Sequence, residues 1–186
     1  MKIATHNSGT GEKGYGWWSF LYAPFAKCQS KTLQEQYKSG ARLYDIRVRK
    51  VNGEWVFAHG LWTSRDTVYS ALSLLNLEAR KTGEKAYLMV TYEGEYSNKM
   101  EYVNEVQSWD CYYHLEVVEV NISKPKWLCL ARWKELRFVQ CFRVLDWSSW
   151  HTLIPIPWLW AKFENARWSA KARRCKPTQY AMIDFV

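Results

Sequence analysis

From Val68 to Ala79, apolar residues return at the interval of a single helix face, and from Ala86 to Val90 they follow one another almost without a break. Val68, Ala71, Leu72, Leu75 and Ala79 form one stripe, so the spacing predicts a helix over 66–81, stopped by Gly83. The apolar run after it predicts a strand over 86–92, and a second helix is expected near 98–108. The same reading places strands at 2–5, 41–49 and 55–58, the last two joined by a tight Asn52-Gly53 turn. Thr32 is placed to cap a helix to about Lys38, with Gln34 and Glu35 in its first turn and Gly40 at its end. Residues 8–16 form a glycine-rich loop with no clear helix after it, and residues 17–31 are expected to be irregular.

Farther along, strands are predicted near 115–120 and 137–144, with a shorter apolar run at 127–131. A helix follows from Trp158 to about Ala172, with Pro157 near its first turn, and a closing strand covers 180–186. Alternation of strand and helix from 32 to 108 predicts parallel β/α units. No repeat, low-complexity tract or linker divides the sequence, so residues 1–186 are expected to make a single domain of α/β class.

Composition narrows the class. At 186 residues and 48% hydrophobic content, a sizeable core is expected and a disordered chain is excluded. No apolar run reaches the ~18 residues of a membrane span, and no charged-then-apolar leader precedes the first strand. The five cysteines are odd in number and contain no Cys-x-x-Cys, so they read as reduced thiols in a cytoplasmic setting, and no zinc site is expected. A net charge of +8 calls for an anionic partner: nucleic acid, an acidic membrane surface or a phosphorylated substrate. Twelve tryptophans and twelve tyrosines suit a core, a stacking platform or a membrane interface equally well.

The candidate chemistry sits at strand ends. The chain has only four histidines. His6 ends the first strand, and His59 ends the strand that follows Asp45, Arg47 and Arg49. Two histidines, a carboxylate and a guanidinium suffice to cleave a phosphodiester: one imidazole as base, the other as acid, and the guanidinium on the phosphoryl charge. In parallel β/α folds such groups gather at the C-terminal ends of the strands. His6, Arg47, His59, Tyr92, Arg143 and Asp184 all fall at or near strand ends in this reading.

These segments resemble a known family. Thr5-His6-Asn7-Ser8-Gly9-Thr10 is similar to the opening motif of the phosphatidylinositol-specific phospholipase C X domain. Gln36 to Arg47 looks like that family's second motif, His59-Gly60 like its second catalytic histidine, and Tyr180 to Phe185 like the last barrel strand of bacterial members. The resemblance implies a compact, distorted TIM-like (β/α) barrel with strands missing. It also implies cleavage of a phosphoinositide-type diester by attack of the inositol 2-hydroxyl, giving a cyclic phosphate.

In that scheme His6 is the base, oriented by Asp184, and His59 is the acid. Arg47 clamps the phosphoryl group, Asp45 supports Arg47 and His59, and Asn7, Tyr92 and Arg143 contact substrate. Arg47 stands where calcium-dependent members carry a carboxylate, which implies metal independence. Asn7 with Glu93 and Glu95 is the calcium-binding alternative. The partners implied are a phospholipid or other diester and, through the aromatic and basic stretch Trp147–Trp168, a membrane surface. A monomer without specific nucleic-acid binding is expected.

Two other readings compete. A glycerophosphodiester phosphodiesterase shares the barrel and the histidine pair, but it needs a carboxylate metal triad where Arg47 stands. A non-catalytic binder would use the basic, aromatic surface for an anionic ligand, nucleic acid or membrane.

Overall fold

The computed structural model describes residues 2–94, 99–121, 134–136, 139–143, 161 and 179–183. Among them, nine strands make one sheet. Six run parallel as neighbours: β1 (Lys2–Thr5), β2 (Ala41–Val51), β5 (Ala86–Tyr92), β6 (Leu115–Asn121), β8 (Val139–Arg143) and β9 (Gln179–Ile183), in the order β6-β5-β2-β1-β9-β8. β7 (Lys134–Leu136) is added antiparallel beyond β8. Among the described residues β6 and β7 do not pair, so the sheet is a barrel left open.

β2 is long enough to serve two partners along one edge. Its first half pairs with β1 (Ala4 with Leu43), and its second half pairs antiparallel with β3 (Glu54–His59; Val48 with Phe57). β4 (Trp62–Thr67) folds back on β3. His59 therefore reaches the site from an antiparallel hairpin, as the tight Asn52-Gly53 turn predicts, and not from the end of a parallel strand.

Four helices are described: α1 (Gly16–Ala26), α2 (Leu33–Lys38), α3 (Val68–Thr82) and α4 (Lys99–Ser108). α2 opens with a capping box: the Thr32 side chain accepts from the Glu35 amide while Glu35 accepts from the Thr32 amide. α3 buries the predicted stripe and stops at Gly83, which has φ +71°. Its start is two residues later than expected, because Asp66 and Thr67 belong to β4 and the Thr67 side chain is the cap. Residues 17–26, expected to be irregular, are helical. The predicted run at 127–131 and the helix at 158–172, Ala161 excepted, lie outside the described residues, as do residues 184–186 of the closing strand.

Strand parity sorts the sheet into two faces. Tyr44, Ile46, Val48, Leu88 and Val90 pack under α2, α3 and α4 with Leu33, Leu72, Leu75 and Tyr102 in the main core. On the opposite face, the lumen side of a barrel, Ala4, Leu43, Tyr180 and Met182 form a small apolar cluster with Tyr87 and Met89. Following that face along β2 gives Leu43, Asp45, Arg47 and Arg49. The lumen is apolar at one end and charged at the other. No described helix is long and apolar enough to cross a membrane.

Candidate active site

His6, Asn7, Asp45, Arg47, His59 and Glu93 come together at the charged end. The segment after β1 turns sharply there: Asn7 adopts φ +46°, and its carbonyl accepts from the Thr10 amide and hydroxyl at 3.0 and 2.7 Å. Asparagine tolerates this left-handed geometry better than most side chains. The Asn7 amide donates to Asp45 Oδ2 at 3.2 Å, which ties the turn to β2. Residues 8–11 are a buried 3-10 turn, and Gly9 lies so close to the Phe57 ring that any Cβ would collide with it. The glycine-rich stretch is thus a tightly packed corner at its start, and α1 follows it.

Arg47 is the centre of the cluster. Its guanidinium, 7% exposed, lies 3.5 Å from Asp45 Oδ2, 3.1 Å from Glu93 Oε1 and 3.1 Å from His6 Nε2. Burial works against its charge, but Asp45 and Glu93 outweigh that and raise its pKa. A guanidinium has donors only, so His6 Nε2 accepts from it. His6 is then neutral with its lone pair at Nε2, the form a base requires. The same Nε2 is 3.7 Å from Asp45 Oδ2.

His59, part-exposed at the end of β3, donates from Nδ1 to the Ala26 carbonyl at 2.7 Å, leaving Nε2 as its other functional nitrogen. Burial and then the Arg47 charge lower its pKa, against the Ala26 carbonyl, Glu93 and Asp45, which raise it. The last residue of α1 thus orients one histidine. The chain just beyond α1 holds the other, since Gln29 Nε2 donates to the His6 carbonyl at 3.2 Å. Asn7 Nδ2 and Arg47 Nε are buried N–H groups for which no acceptor is found among the described residues.

Glu93 completes the group, and sequence reasoning gave it only the calcium alternative. It follows β5 on the same face as Thr91, and Thr91 pairs with Arg47, so strand parity was the available signal. Tyr92 points the other way. Its ring stacks on Tyr102 at 5.0 Å and packs edge-on to Trp55 in the main core, rather than joining the charged cluster. Arg143 ends β8 in register with Met182. Asp184, Glu95 and the stretch Trp147–Trp168, Ala161 excepted, lie outside the described residues. Among the described residues no group of three or more His, Cys, Asp or Glu side chains is arranged to hold a metal ion.

α1 has the sequence GWWSFLYAPFA, with no charged residue. Ser19 and Ala26 are buried, the Ser19 hydroxyl donating to the Thr63 carbonyl at 2.9 Å. Trp17 (61% exposed), Trp18, Phe20 (79%), Leu21 and Phe25 face outward, joined by Leu61 (64%) beside His59-Gly60. Lys13 and Arg65, both exposed, are joined through the main chain, the Arg65 amide donating to the Lys13 carbonyl at 2.6 Å.

No family model and no curated protein matches the chain. Solved structures do. A variant of the phosphatidylinositol-specific phospholipase C of Staphylococcus aureus superposes with a TM-score of 0.67 at 13% identity, over 98% of this chain and 85% of that one. The Listeria monocytogenes phosphatidylinositol-specific phospholipase C gives 0.66 at 13% identity, over 98% and 87%. At that identity the likeness defines the architecture: this chain has the distorted, open barrel fold of bacterial phosphatidylinositol-specific phospholipases C.

Proposed function

We propose that this protein is a phosphodiesterase that cleaves a phosphoinositide-type diester by intramolecular attack. As the substrate phosphoryl group draws the Arg47 donor off His6 Nε2, that nitrogen takes the proton of the inositol 2-hydroxyl, whose oxygen forms a new bond to phosphorus. The bond to the leaving alkoxide breaks, His59 Nε2 protonates that oxygen, and a cyclic phosphodiester remains. Arg47 bears on the phosphoryl oxygens throughout. The observation that carries this reading is the contact between the Arg47 guanidinium and the His6 lone pair. It puts a fixed positive charge and a base within one hydrogen bond, beside buried N–H groups suited to an anion.

Arg47, set between Asp45 and Glu93, takes the part a metal ion would otherwise play, so no cofactor is required. The test is phosphorus NMR of phosphatidylinositol vesicles with the protein and excess chelator. A cyclic inositol phosphate signal is expected. Its appearance only after calcium is added would remove Arg47 from that part.

The fold relatives are lipid-acting enzymes by name, and α1 supplies a surface suited to a phospholipid interface. Aromatic rings are exposed on the helix whose last residue orients His59, and the exposed Lys13 and Arg65 add positive charge that anionic headgroups attract. Trp17→Ala and Phe20→Ala are each expected to weaken binding to anionic vesicles on the order of tenfold, from the apolar burial each ring would lose. Unchanged sedimentation with vesicles for both variants would remove α1 from the interface.

The pH dependence follows from His59. A general acid must carry its proton, and this one is held below the ordinary histidine value of 6.5. The alkaline limb of kcat/KM on a soluble alkyl diester is therefore expected below pH 6.5. A limb above pH 7 would mean that burial and the Arg47 charge do not hold His59 down in the working enzyme.

A further inference from the structure

The turn that carries His59 is held by two charged side chains, Arg49, which has no part in the reaction scheme, and Glu93, which pairs with Arg47. Gly60 follows His59 with φ +60°, and both it and Leu61 are exposed. An exposed left-handed glycine beside a catalytic imidazole would leave that ring loosely placed unless its peptide were gripped. Here it is gripped on both sides. The Gly60 amide donates to Glu93 Oε2 at 3.0 Å, and the Gly60 carbonyl accepts from Arg49 Nη2, which also donates to the Trp62 carbonyl at 3.3 Å. Glu93 is itself fixed, because its amide donates to the Val48 carbonyl at 2.8 Å and its other carboxylate oxygen holds Arg47 at 3.1 Å.

Asp45, Arg47 and Arg49 alternate along β2 and share its lumen face. That row continues without a gap from the base to the turn of the acid. We propose that Arg49 and Glu93 are positioning residues for His59. They grip the two peptide groups on either side of the Gly60 Cα and set the imidazole against the same diester that Arg47 clamps. This inference rests on the assignment of His59 as general acid.

The test compares two soluble inositol phosphodiesters on the full chain, one with an ethoxide and one with a 4-nitrophenolate leaving group. Ethoxide needs a proton from the acid as it departs, whereas nitrophenolate leaves unaided. Arg49→Gln is expected to lower the ethyl-to-nitrophenyl rate ratio roughly tenfold, with Arg49→Lys recovering part of it. Glu93→Gln is expected to slow both substrates, because it also releases Arg47, and the ethyl diester further.

A His59 titration followed by NMR reads the same clamp without turnover. Glu93→Gln lowers its midpoint, since the Glu93 charge holds it up. Equal slowing of both substrates by Arg49→Gln would overturn the clamp and leave the reaction standing. A wild-type chain that turns over neither substrate would instead overturn the reaction, and the clamp's catalytic role with it.

Discussion

Arg47→Met is expected to abolish turnover and to destabilise the fold by about 3–5 kcal/mol, the cost of leaving buried charge without its partner. The guanidinium is the only described side chain within ion-pair distance of both Asp45 and Glu93, and it is also the donor that faces His6. Methionine fills much of the same volume but takes the positive charge away from two buried carboxylates at one end of the lumen. Urea unfolding of the variant, with diester cleavage measured under folded conditions, checks both parts. Arg47→Lys separates charge from geometry. A point charge restores the ion pairs but cannot fork between Glu93 and His6, so stability should recover further than rate. Wild-type stability in Arg47→Met would mean that the two carboxylates do not depend on the guanidinium.

His6→Ala carries the second large effect, a loss of about 10²–10⁴ in rate, the usual weight of a positioned general base. The His6 main-chain turn is fixed from other points: Gln29 on the His6 carbonyl, Asp45 on the Asn7 amide, and Thr10 on the Asn7 carbonyl. The alanine variant should therefore fold and still bind anionic vesicles through α1. The informative result is the combination of vesicle binding kept and cyclic phosphate signal gone. A rate within threefold of wild type would transfer the proton abstraction to another group. Binding without turnover in the wild-type chain itself would favour a non-catalytic lipid-surface protein.

Both variants address residues legible in the sequence, and the physical reason is locality. His6-Asn7 closes a strand, Asp45 and Arg47 alternate on one, and His59-Gly60 ends another, so each signal lies within a few residues. The α3 stripe and the apolar β5 run were legible for the same reason, since a two-layer packing writes its period directly into the chain. α1 was not, because period detection depends on one buried face, and α1 buries only Ser19 and Ala26. Its helicity shows no amphipathic rhythm, and Pro24 near its end reads as a breaker. β4 was missed because Thr63-Ser64-Arg65-Asp66-Thr67 is polar, and its pairing with β3 is a tertiary fact. The roles of Glu93, Arg49 and the Ala26 carbonyl also depend on register between distant segments, which no local pattern encodes. Tyr92 shows the cost of counting strand ends without counting faces: it is one residue from the cluster and on the wrong side of the sheet.

β1 lies between β2 and β9, with Lys2 opposite Tyr180 and Thr5 opposite Ile183. That placement has a consequence for the order of events during synthesis. The strand that leads into His6 leaves the ribosome well before β9, one of its two neighbours. Until then one edge of β1 has unpaired amides and carbonyls, the kind of edge that recruits foreign strands. A nascent chain holding both histidines would thus possess every catalytic group of the scheme without the scaffold that aligns the first of them. The pairing is also among the least local contacts this fold could make, and contacts of that kind slow folding. Catalytic competence would then appear only as β9 docks, and not gradually as the sequence emerges.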